Sequence, residues 1–331
     1  MIALRDMVVL GAAVAAACQP VDRPGRRASS APADTTVEVF QASAPANALP
    51  ATTPASKLLV VEGFLTPESV LHDPAQDIYF VSNINGSPTA KDNNGFLSRV
   101  RPDGAVENLK FIEGSRNNVT LHAPKGLALL GDTLWVTDID MVRAFNARTG
   151  APVDSVSLGG TTGAVFLNDI AVATTGALYI TDTGIRFDDV GNIVHPGPDR
   201  IFRIRPDSHA VTVAVRSDSL GRPNGITLDS MGKRFVVVSF GGRGVLSWKP
   251  GDRAPRVVFK AAGELDGVEI VGGKIIVSSW ADSSVSRMDS AGPTKLVTGV
   301  PSPADIGYDA RRNRLLVPVF SGNRVEIWQL P

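Results

Sequence analysis

The chain is poor in the features that most often disclose a protein's chemistry. One cysteine in 331 residues, Cys18, excludes an internal disulfide and a cysteine-built zinc site, so the fold must rest on burial. Lys+Arg and Asp+Glu balance at 33 each, which leaves no excess charge to drive counterion release and argues against nucleic acid as a partner. The one sustained apolar run, Met7 to Ala17, would rise about 16 Å as a helix against a hydrocarbon core of about 30 Å, too short to span a membrane. The four histidines share no metal spacing. No GxSxG elbow, Walker loop or HExxH helix occurs, and no helical pattern follows GGRG at 241–244, so serine-hydrolase, phosphate-loop and zincin chemistry have no support.

What is present begins with an export signal: Arg5, the apolar run, and small residues before Cys18. Ala15-Ala16-Ala17-Cys18 resembles a bacterial lipobox, in which the cysteine becomes the lipid-modified first residue. With Gln19 next, the expected location is the periplasmic side of the outer membrane, with the lipid as the only membrane contact. The same segment also reads as a plain secretory peptide. Residues 19–57, rich in Pro, Ala, Ser and Thr, carry no periodicity that could bury a face and read as a tether.

From Leu58 onward, short apolar or alternating runs are bounded by Gly, Asp, Asn and Pro, with almost no helical window. PESVLHDPAQDIYFVSNI, PKGLALLGDTLWVTDI, LNDIAVATTGALYITDT, PNGITLDSMGKRFVVVSF, LDGVEIVGGKIIVSSW and PADIGYDARRNRLLVPVF are six copies of one unit. Their markers stand about 47 residues apart on average, and two more strands follow most copies, the pattern of a propeller blade. The expected fold is all-β: a six-bladed β-propeller over residues 58–331, a monomer, whose last blade lacks a strand that residues 58–64 supply. The insertions INGSPTAKDNNG and TGIRFDDVGNIVHPGP read as loops on one face.

Rotation about a propeller axis places equivalent residues in a ring, here Glu68, Lys125, Asn168, Asn224, Asp266 and Ala304, each expected just before an innermost strand. Two carboxylates and two carboxamides offer only oxygen ligands, which suits a hard divalent cation, calcium before magnesium or zinc. Asn-Gly and Asp-Gly also read as simple turn dipeptides.

The unit order, with PESV, LNDI, PNGI and LDGV, resembles the senescence-marker-protein/gluconolactonase family of six-bladed propellers across the whole domain. The resemblance implies that Glu68, Asn168, Asn224 and Asp266 bind calcium or another divalent ion, which polarises a lactone or ester carbonyl while Asp266 activates water. Two positions depart from related patterns. Phe166 stands where sugar-lactone members carry arginine, and Lys125 stands where paraoxonase-like lactonases carry histidine. Lys125 would either act on the substrate or offset the carboxylates. Phe166 and His122, three residues before Lys125, are the remaining candidates to touch substrate, with a plain loop role the other reading of His122. Two functions remain open: a metal-dependent lactonase or esterase of the cell envelope, and a non-catalytic binding propeller on the same scaffold.

Overall fold

Pairing within each repeat is antiparallel throughout and generates six four-stranded sheets. The computed structural model describes residues 53–188, 192–261 and 263–331; the export segment, Cys18 and most of the tether lie outside the described residues. Blade 1 comprises Pro67–Asp73, Ile78–Asn83, Phe96–Val100 and Val106–Glu113, and the next four repeat that plan from innermost strands Pro124–Leu130, Leu167–Val172, Pro223–Asp229 and Leu265–Val271. Blade 6 is Gly307–Asp309, Arg314–Val319 and Arg324–Gln329, with Ser56–Glu62 as its outermost strand. That outer strand begins inside the segment read as tether, because Ala55 already donates its N–H to Leu296 O at 2.9 Å and is buried. The six innermost strands contact one another in cyclic order, the last against the first, so the sheets form a six-bladed propeller.

Burial explains the pattern along each blade. The second strand, Ile78–Asn83 in blade 1, is buried at every residue because neighbouring blades cover both its faces, whereas the outermost Val106–Glu113 is mostly exposed or half-buried. The core therefore divides into layers between blades. Phe80, Leu97, Leu134 and Val136 pack between blades 1 and 2, and Tyr179, Phe235 and Trp248 between blades 3 and 4. Helix is confined among the described residues to Gly159–Thr162 and two single 3₁₀ turns, and no helix is long and apolar enough to cross a membrane.

Five of the ring residues are not just before the innermost strands, as expected, but second within them, whereas Ala304 does precede its strand, Gly307–Asp309. In blades 1–5 the pairing register slips across that residue and the next, as between Pro67 and Val70 or Pro223 and Ile226. Such a bulge turns the second residue's side chain out of the ladder and toward the axis. The glycine that follows in three blades is required by close approach. A Cβ on Gly225 would lie 2.5 Å from Asp266 O, and one on Gly267 would lie 2.4 Å from Ile306 N. Asn224-Gly225 and Asp266-Gly267 are thus contacts between neighbouring innermost strands, not turns.

Candidate functional site

Hydroxyls on the second strands hold the bulged residues in place. Thr181 Oγ1 accepts the Asp169 N–H at 2.9 Å and donates to Asn224 O, in the next blade, at 2.6 Å. Ser278 Oγ does the same between Gly267 N and Ala304 O, both at 2.8 Å, and Thr137 Oγ1 donates to Asn168 O. The acidic residue that follows ties down the approach to the ring. Asp182 accepts the Phe166 N–H at 2.9 Å, and Asp138 accepts the Ala123 N–H at 2.8 Å. In the Thr-Asp pairs Thr137-Asp138 and Thr181-Asp182 the carboxylate thus holds the entry to its own blade's innermost strand while the hydroxyl joins one blade to the next.

This scaffold brings Glu68, Lys125, Asn168, Asn224 and Asp266 together on the floor of one cavity of about 270 Å³ on the face where the innermost strands begin. Glu68 is 5% exposed, and Asn168, Asn224 and Asp266 are 4% exposed. Glu68 Oε2, Asn168 Oδ1, Asn224 Oδ1 and Asp266 Oδ1 are each buried without a hydrogen-bond partner. The amide orientation is dictated by neighbours. Thr183 Oγ1 spends its proton on Pro223 O, at 2.7 Å, and so must accept from Asn168 Nδ2 at 3.2 Å, leaving Oδ1 free. Asn224 likewise favours the ionised form of Asp266 through its side-chain donor.

Orphaned buried oxygens are costly, and four from equivalent bulges are the condition a cation relieves. Their chemistry, two carboxylates and two carboxamides, fits a hard divalent ion. Among the described residues no group of three or more His, Cys, Asp and Glu side chains makes a metal cage, so a divalent ion here would have to draw on the carboxamides as well.

Electrostatics give the same account. Burial pushes the Glu68 carboxyl well above the usual carboxylate range, Asp266 and Asp305 push it further, and Lys125 partly offsets them. Burial and Asp305 likewise raise Asp266, against the opposing effect of Trp280 and Asn224. The Trp280 N–H favours the charged form of Asp266 although it stands outside hydrogen-bond geometry, and Nε1 has no partner. Burial lowers the Lys125 ammonium to about 8 despite Glu68 and Asp138, which favour its charge. Its Nζ donates to Ala123 O at 3.1 Å and lies 4.4 Å from the centre of the Phe166 ring.

Phe166 lines the cavity, as expected of a substrate contact, but His122 does not. Its Nδ1 accepts the Asn93 N–H at 3.0 Å and its own N–H is held by Asp138, so His122 fastens the blade 1 insertion to the entry of blade 2. Both insertions do reach the site, the second carrying a short hairpin, Arg186–Phe187 with Ile193–Val194.

Residues that the repeat comparison did not single out include Asp305 and Trp280. Asp305, one place after the ring residue of blade 6, accepts from Ser69 Oγ and raises Glu68, Asp169, Asp266 and Glu269 together. With Asp169 and Glu269 it lines a second cavity of about 240 Å³ lower in the channel. In the sequence Asp305 is marked only by its place beside Ala304, the ring slot without a donor.

No family model matches the chain, and no curated protein matches it. Solved structures do. A structure described as a gluconolactonase is 19% identical, covering 85% of this chain and 93% of its own, with a TM-score of 0.62. A gluconolactonase from Xanthomonas campestris is 16% identical over 88% of this chain and 99% of its own, with a TM-score of 0.61. A luciferin-regenerating enzyme is 13% identical over 82% of this chain and 94% of its own, also with a TM-score of 0.61. At these identities the likeness is one of fold.

Proposed function

We propose that the protein is a divalent-cation-dependent hydrolase of lactones or esters, with calcium as the cation. The observation that carries this reading is the set of four buried, unpartnered oxygens on Glu68, Asn168, Asn224 and Asp266. The gluconolactonase-like fold of its structural neighbours supports it. When bound, the ion would supply a positive charge to polarise a carbonyl.

The chain's own groups do the rest. Glu68, Asn168 and Asn224 fix the floor, their backbones pinned by the bulges and the inter-blade hydroxyls. Asp266, raised by burial and Asp305, has the basicity to hold at its carboxylate a proton taken from attacking water. Lys125, with its ammonium donated to Ala123 O and laid on the Phe166 ring, balances Glu68 from below instead of reaching for substrate. The walls of the cavity are largely apolar, which lowers the local dielectric and strengthens each of these interactions.

Export, lipid attachment through Cys18, action in the cell envelope and a monomeric state belong to the same proposal. The deciding experiment is turnover of a panel of lactones and aryl esters with calcium and after chelation. Hydrolysis that disappears with chelator and in Asp266→Ala supports the reading; ligand binding without turnover of any member supports the non-catalytic alternative.

A further inference from the structure

The floor of the cavity is polar, but its walls are carbon. Phe240, Trp280 and Phe320 form one aromatic wall, with ring centres 5.8 Å apart for the first pair and 5.2 Å for the second. Phe166 lies against Lys125, and the hairpin adds Phe187 and Ile193, two large apolar side chains left 38% and 51% exposed. Polar groups above the floor are few and mostly engaged: Thr183 donates to Pro223 O. One donor is left over, the buried and unpartnered Nε1 of Trp280, beside Asp266.

We infer that the ligand of this cavity is a lactone or ester whose acyl or alkyl part is apolar, with its carbonyl oxygen directed to the floor and to Trp280 Nε1, and that polyhydroxylated sugar lactones are excluded. The inference rests on the proposed hydrolase site. A sugar ring would bring several hydroxyls against walls that offer them nothing, and a buried polar group without a partner is disfavoured. An apolar ring or chain meets aromatic faces instead and leaves only its carbonyl to be satisfied, which the spare indole N–H and the floor can do.

Binding tests this without turnover. A hexyl-substituted δ-lactam and a tetrahydroxylated δ-lactam keep the carbonyl and resist hydrolysis; both are titrated into calcium-loaded protein by calorimetry and tryptophan emission. The alkyl lactam should bind at least about 100-fold more tightly, since even one added hydroxyl is worth about that much in an apolar pocket. Its binding should carry a negative heat-capacity change. Trp280→Phe, which keeps an aromatic face and loses the N–H, should weaken the alkyl lactam about tenfold, a typical loss for one hydrogen bond, and abolish the emission change. Phe187→Ser, on an exposed two-residue strand, should weaken it without lowering thermal stability. Equal or tighter binding of the hydroxylated lactam would overturn the inference, whether or not the protein hydrolyses lactones. Tight binding of the alkyl lactam with no hydrolysis of the matching lactone would leave the ligand class standing and remove the hydrolase reading alone.

Discussion

Glu68 and Asp266 each combine burial, a raised pKa and an unpartnered oxygen, a state that is unfavourable unless something positive sits against them. Lys125 supplies part of that charge and is itself depressed to about 8. Replacing it with methionine keeps the packing on Phe166 and removes a cation beside the site. Lys125→Met should therefore tighten calcium binding and retain turnover; unchanged binding with collapsed turnover would assign the lysine to the substrate instead. Lower in the channel, Asp305 and Glu269 are raised to about 7 and about 8, chiefly by burial. Glu269 keeps some accessible surface because it faces the channel cavity, although protein surrounds it. A carboxyl raised on folding binds more protons folded than unfolded, so its contribution is present below its ordinary value and is lost as pH rises through the folded one. The calcium-free protein should melt at a lower temperature at pH 8.5 than at pH 5, and Glu269→Gln should flatten that slope in thermal scans. The ring residues were legible because the repeat places them at one slot in every copy. The hub formed by Asp305 was not, since its importance comes from charges on Glu68, Asp169, Asp266 and Glu269, distant in sequence and met only across the channel.

At the scale of the strand, what holds the site is the bulge and its staples. Thr181→Val would leave the Asp169 N–H and lose the hydroxyl on Asn224 O, both buried, at a cost of about 1–3 kcal/mol for each group left unsatisfied. Calcium affinity should fall with it, because Asn224 is positioned through that carbonyl. Thr161→Val, which removes an exposed bond to Ser157 O, should change neither property in parallel melts and titrations. Gly225→Ala should destabilise by about 1–3 kcal/mol through overpacking against Asp266 O. Strand order and the third-strand segments could be read from alternation and turn residues. The bulges could not: a one-residue slip leaves no mark on composition, and Asn-Gly reads the same in a turn and in a strand pressed against its neighbour. Of the two readings of His122, its contacts fit the loop role. Its distance in sequence from Lys125 is short, but Asp138 and Asn93 hold it on the insertion side.

For the whole molecule, the sixth sheet joins the two ends of the described chain, Ser56–Glu62 lying antiparallel to Arg324–Gln329 from Ser56 opposite Gln329 to Glu62 opposite Arg324. Deleting residues 58–64 should expose the edge of Arg324–Gln329 and cause aggregation, whereas deleting residues 19–50 should leave the melting temperature almost unchanged; light scattering and calorimetry separate the two. Cys18→Ser should release the protein from the membrane fraction, with unchanged fractionation the result against lipid attachment. The propeller's rotational arrangement is also what would make a cation site out of residues that are weak ligands alone, since four of the six blades each contribute one oxygen while the other two present Lys125 and Ala304. That is the central claim, and calcium titration by calorimetry tests it most directly in the wild-type protein, Glu68→Gln and Asp266→Asn. The account predicts one saturable site in the wild type and affinity at least about 100-fold weaker, about 2.7 kcal/mol, in each variant with the fold intact. Wild-type affinity in both variants, or no binding to the wild type, would contradict it.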